Sequence, residues 1–143
     1  MKARLLKQGL FGVAFAVLAA CGGKPQEEQR QKQIPHVTVA NELAAMTRLQ
    51  GIAMAELKYQ ADNGVDFASL DQLIQTHYVV DPSQGKLVGY RFEVRLKPGG
   101  FEATAVPEKF GVTGDRSFYI DESRTLRGAD KGGAPATGSD PTV

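Results

Sequence analysis

The chain has 143 residues and a formal net charge of +1, from 17 Lys and Arg against 16 Asp and Glu. That length suits one modest domain, and so even a charge balance argues against nucleic-acid binding, which calls for a dense basic face. One Cys and two His exclude an internal disulfide and any multi-cysteine metal site.

The first twenty residues read as an address. Lys2, Arg4 and Lys7 precede residues 9–20 (GLFGVAFAVLAA), an uncharged and mostly apolar run. A membrane-spanning helix needs about 20 such residues, so a shorter run behind positive charge reads as a secretory signal. The run ends in Leu18-Ala19-Ala20-Cys21. This resembles the lipobox of bacterial lipoproteins, in which the peptidase recognises the small residues and cuts before a lipid-modified Cys. The resemblance implies signal-peptidase recognition through Leu18, Ala19 and Ala20 and lipid attachment at Cys21. The other reading is an ordinary signal peptide with an incidental Cys. It would put Leu18 where a small residue is preferred. Cleavage before Cys21 removes three cations and no acid, so acyl chains rather than basic charge would hold the mature chain to a membrane. Gly22 follows the Cys. In lipoproteins of two-membrane bacteria an Asp there favours the inner membrane, so the lean is towards the outer one.

Residues 21–37 read as a lipidated flexible tether, rich in Gln, Gly, Pro and charge. Pro25 and Pro35 are expected to break a long helix here, and His36 to be solvated. The globular domain is expected over residues 38–130. Residues 39–61 predict a helix, with Leu43, Met46, Leu49, Ala53 and Leu57 on one apolar stripe, Thr38 or Asn41 as its cap and Asn63-Gly64 as its stop. Residues 67–76 predict a second helix capped by Asp66, with Phe67, Leu70, Leu73 and Ile74 on one face. Residues 77–80 follow as a short extended run, with His77 partly buried.

The period then changes to two. Tyr90, Phe92, Val94 and Leu96 alternate with Arg91, Glu93, Arg95 and Lys97, which predicts a strand with one buried and one wet face. Pro98-Gly99-Gly100 turns the chain, and Phe101, Ala103 and Ala105 answer on a return strand. Residues 106–116 read as loop. Residues 117–121 and 124–128 read as a second hairpin turning at Asp121-Glu122-Ser123, with Phe118 and Ile120 inward. Residues 131–143 form a Gly/Ala/Pro-rich tail, expected to fray. The layout is α+β: a long N-terminal helix packed on a small antiparallel β-meander.

No catalytic constellation is legible. There is no G-x-S-x-G, the two His lie far apart, and the paired glycines lack the strand–loop–helix context of a phosphate cradle. Asp81, Asp121, Glu122, Asp130 and Asp140 fall in or beside loops without EF-hand spacing. The expectation is no enzymatic activity, no cofactor and no metal.

Residues 43–135 resemble the globular half of type IV pilin-like proteins, including the pseudopilins of type II secretion. The segments that carry the resemblance are LQGIAMAELKYQADNG, FASLDQLI, DPSQGKLVGYRFEV, FEATAVP and RSFYIDES with LRGADKGG. The resemblance implies a pilin-like fold and a structural or protein-interaction role in the envelope, accessory to a type II secretion or type IV pilus machine. The N-terminus departs from that pattern. Gly9 and Gly12 precede no apolar helix of pilin length, and no acid occurs before Glu27. A pilin head on a lipid anchor, with a protein partner in the envelope, is therefore the first expectation. The alternative is a periplasmic module that binds a small molecule or calcium.

Overall fold

The computed structural model describes residues 26–64, 66–85 and 89–143, and for residues 26–36 the backbone alone. Helix α1 spans Gln26–Asn63. It therefore starts earlier than the hydropathy pattern predicted and runs through Pro35, which was expected to break it, because Gln, Glu, Arg and Lys sustain a helix without contributing to an apolar stripe. It ends where expected. Gly64, at φ 60, takes the left-handed position past the last turn, and its N–H bonds the carbonyl of Gln60.

The buried face of α1 is not the predicted stripe. Leu49 and Ala53 are buried as expected, and Met46 and Leu57 are partly buried against the core. Leu43, however, is 61% exposed. The face turned inward carries Thr38, Glu42, Ala45, Leu49, Ile52 and Glu56, a regular alternation of fours and threes. A hydropathy count passes over Thr38, Glu42 and Glu56 because it scores them as polar. Each is buried because the fold supplies it with a partner.

Helix α2 spans Leu70–Gln75, shorter than predicted, and Ser69 rather than Asp66 caps it. The Gln72 N–H donates to the Ser69 hydroxyl, and the Ser69 N–H donates to the Gln72 side chain. This reciprocal box satisfies two end groups at once, which a lone Asp66 cannot do. Phe67 and Ala68 thus lie ahead of the helix as a buried plug, with the Phe67 ring 5.1 Å from that of Phe101. The run after α2 is a turn, not an extended segment. His77 adopts φ 62 and is exposed. Tyr78 packs edge-on against Tyr59 at 5.3 Å and donates a hydrogen bond to Asp62, which tacks this turn to the end of α1.

The sheet has four strands in sequence order, each antiparallel to the next: β1 Tyr90–Lys97, β2 Gly100–Pro107, β3 Ser117–Asp121 and β4 Arg127–Ala129. The architecture is α+β, as expected. Cross-strand pairs on the inner face match large with small: Val94 with Ala103, Phe92 with Ala105, and Ala105 in turn with Phe118. The alanines of β2 make room there for α1, and Phe101, Phe118, Ile120, Leu49 and Ile52 fill the core at 0–1% exposure. Phe118 and Ile120 face inward as predicted. Leu96 does not, being 45% exposed at the far end of β1.

The tail packs instead of fraying. It runs back beside β4, where the Gly128 N–H bonds the Pro141 carbonyl and the Val143 N–H bonds the Leu126 carbonyl. Arg127 reaches the Asp140 carbonyl at 2.9 Å, and Asp140 takes Lys131 at 3.2 Å. Ala136 is buried, and the tail covers Tyr119 on the outer sheet face. Small residues suit this role, because the chain must lie close upon a ring.

Candidate functional site

The residues singled out from the sequence, Leu18, Ala19, Ala20 and Cys21, lie outside the described residues. Among the described residues no helix is long and apolar enough to cross a membrane. Nor do three or more His, Cys, Asp or Glu side chains converge there as a metal-ligating group. The loop acids serve local turns: Asp81 accepts from Ser83, Asp121 from Ser123, Asp130 from the Gly132 N–H, and Asp140 from Thr137.

Two features were not legible as sites. The first is a pair of buried acids on α1. Glu42 holds the loop between β2 and β3. Its Oε1 accepts the backbone N–H groups of Asp115 and Arg116 at 3.0 and 3.1 Å, and its Oε2 accepts the Arg116 guanidinium at 2.9 and 3.0 Å. Asn41 and Thr38 add hydrogen bonds to the carbonyls of Thr113 and Val112. Glu56, one of the most deeply buried side chains, accepts the Ala68 N–H at 2.8 Å, and among the described residues its Oε1 has no hydrogen-bond partner. Burial pushes its carboxyl up to about 7, against the smaller opposing effect of that hydrogen bond. The spacing that puts both acids in register with Leu49 and Ile52 was the available signal.

The Glu56 shift has a stability consequence. A carboxyl raised in the fold prefers its proton there, so the penalty is absent below about pH 4.5 and complete above about pH 7. Across that window stability is expected to fall by about 2–3 kcal/mol from this residue. Glu56→Gln keeps an acceptor for Ala68 and removes the charge. Thermal unfolding followed from pH 5 to pH 8 is expected to show the variant more stable at the alkaline end and nearly level with the parent at the acid end. A variant whose pH profile parallels the parent's would place the titration elsewhere.

The second feature is the outward face of α1. Val39, Leu43 and Met54 are 65%, 61% and 57% exposed, and Thr47, Gln50 and Gly51 lie between them. This face carries no charge from Val37 to Met54, in a chain that is 23% charged. Toward its end Gln50, Ala53 and Met54 form a shallow groove with Ile120 and Arg124. A helix apolar on two sides is normally covered on both. Here the sheet covers one.

Apart from these, a cleft of about 240 Å³ lies on the outer sheet face. Arg95, Thr104 and Tyr119 form its floor and Thr137 its tail-side wall. The Tyr119 hydroxyl is already engaged with Asp121 at 3.1 Å.

Compared with known proteins, the chain matches no protein-family model, no curated protein and no solved structure.

Proposed function

We propose that this protein is a lipid-anchored envelope protein with a non-enzymatic structural or protein-interaction role, accessory to a type II secretion or type IV pilus machine. Leu18-Ala19-Ala20 directs cleavage, Cys21 carries the acyl chains, and the α+β domain faces the periplasm or the cell exterior. The observation that carries the interaction role is the uncharged outward face of α1, with Val39, Leu43 and Met54 exposed. The α1–meander layout agrees with a pilin-like head, and the lipobox pattern supports the anchor.

The deciding measurement is the intact mass of the N-terminal peptide from native membranes, beside a Cys21→Ala control. A diacyl or triacyl mass on Cys21 is expected, with the control unmodified. An unmodified chain beginning at Cys21 would refute the anchor, and a leader cut after Gly9 or Gly12 would point back to a pilus subunit.

The other reading, a module binding a small molecule or calcium, draws on the outer-face cleft. It requires an upward shift of the melting temperature with ligand, following RT ln(1+[L]/Kd).

A further inference from the structure

The sheet has one open edge among the described residues. At the β4 side the tail pairs with the strand, closing with the contact between Arg127 and Thr142. At the other side β1 is bonded to β2 alone. The β1–β2 register runs unbroken from Tyr90 opposite Pro107 to Lys97 opposite Gly100, with no bulge. So long and regular an edge is a template for pairing, and here its outer-face charges are what choose the partner.

The two-residue turn fixes which groups that edge offers. Lys97 and Gly100 close the hairpin and share its hydrogen bonds, so Arg91, Glu93, Arg95 and Lys97 spend their backbone groups on β2. The N–H and C=O groups of Phe92, Val94 and Leu96 therefore point to the open side. Those residues also carry the inner-face side chains: Phe92 and Val94 are half-buried, and Leu96 is 45% exposed. On the outer face Arg91, Glu93 and Arg95 are exposed.

We infer that β1 is a docking edge for a second copy of this chain, the two strands pairing antiparallel about a two-fold axis at Val94. The argument is charge complementarity. In that register Glu93 stands opposite Arg95 of the second copy, and Arg95 opposite its Glu93, so the loose pair that the two exposed side chains make within one strand at 3.7 Å is exchanged for pairs between strands. Val94 meets Val94, and Phe92 meets Leu96, so the exposed Leu96 is covered. The groove beside β1, where Leu70, Ile74 and Phe92 lie among Asp71, Asp81 and Ser83, receives that leucine. Arg91 falls opposite Lys97, but Glu122 and Glu102 already neutralise Lys97 at 3.2 and 3.9 Å. Neighbouring registers are worse. A two-fold at Glu93 sets that acid against itself, and one at Arg95 sets two guanidinium groups together. A two-fold at Phe92 pairs opposite charges but carries Leu96 beyond the end of the facing strand. The pattern is thus its own complement, as an isologous contact requires.

The pairing supplies about six main-chain hydrogen bonds, two at each of three facing pairs. Its area lies at the low end for specific interfaces, so association is expected to be micromolar in solution. Confinement to a membrane surface would raise the effective concentration.

The test is sedimentation equilibrium of the full chain in detergent, from about 1 to about 100 μM, the range in which a contact of this strength is titrated. A reversible dimer is expected. Glu93→Arg places like charges across both pairs and is expected to weaken it at least tenfold, and Glu93→Arg with Arg95→Glu to restore it. Val94→Pro removes an open-side N–H and is expected to abolish the dimer, since an edge strand tolerates Pro in the monomer. Circular dichroism checks that each variant folds. Should a charge variant misfold, oxidation of an equimolar mixture of Glu93→Cys and Arg95→Cys chains gives a second route, because these positions face each other at a non-hydrogen-bonded pair, the closer kind. The expected product is two copies joined by a disulfide between positions 93 and 95, identified by mass spectrometry. A chain monomeric throughout the range overturns the inference. So does a dimer that survives both Glu93→Arg and Val94→Pro, or one in which the two cysteine variants form no such link. A dimer lost instead in Leu43→Glu would assign the contact to the outward face of α1, and would equally overturn it.

Discussion

Gly114→Ala is expected to destabilise the domain by about 3–4 kcal/mol and to lower the melting temperature by roughly 15 °C. A Cβ at this position would stand on the Tyr90 hydroxyl and ring. The ring has no room to yield. Tyr90 is 2% exposed, its hydroxyl donates to the Arg116 carbonyl at 2.7 Å, and its ring lies 5.9 Å from that of Phe118. Moving it would break that hydrogen bond and disturb the packing between β1 and β3. Gly51→Ala is the matched control. It adds the same methyl where nothing lies within 4 Å, inside a helix, and is expected to stabilise by about 0.5–1 kcal/mol. Thermal or denaturant melts of the two variants should therefore move in opposite directions. Equal melting temperatures for Gly114→Ala and the parent would show that the loop before β3 relaxes freely.

Glu42→Ala is the second large effect, expected at about 3 kcal/mol. The carboxylate is 7% exposed and is the common acceptor for two backbone N–H groups and the Arg116 guanidinium. Its removal leaves all of these without that partner and frees the loop from α1. Glu42→Gln retains one acceptor oxygen and is expected to cost about half as much. A double-mutant cycle with Arg116→Ala separates the contributions. Arg116 keeps 41% of its side chain exposed and packs its guanidinium 5.3 Å from the centre of the Phe118 ring. The ion pair is thus partly screened, and a coupling of about 1 kcal/mol is expected. In the Arg116→Ala background Glu42→Ala should still cost about 2 kcal/mol, because the N–H groups of residues 115 and 116 remain. A cost near zero there would mean that the ion pair, and not the backbone cap, closes the loop.

Hydrogen exchange gives an independent reading of the same device. The amides of Asp115 and Arg116 should lose protection selectively in Glu42→Ala, ahead of the strand amides of β2. Loss spread evenly over the sheet would indicate global destabilisation instead.

Period-two alternation determined the β1–β2 hairpin. Tyr90, Phe92, Val94, Phe101, Ala103 and Ala105 point inward as their spacing required, because a strand offers only two faces and one must be apolar. The α+β layout and the helix stop at Asn63-Gly64 were equally readable, since caps and alternation act locally. The facing of α1 was decided only by the tertiary structure. Its sequence is apolar on two sides, so the stripe read from hydropathy took in the exposed Leu43 and passed over the buried Ala45 and Ile52, and it scored Thr38, Glu42 and Glu56 as polar although their spacing puts them on the same face. A polar side chain goes inside only when something distant meets it, and those partners lie at Val112, Asp115, Arg116 and Ala68. The tail shows the same limit. Nothing in its small residues says where it lies until β4 offers an edge and Tyr119 a surface. Local periodicity sets which elements form, while long-range hydrogen bonding and steric fit set which face of α1 turns inward and where the tail comes to rest.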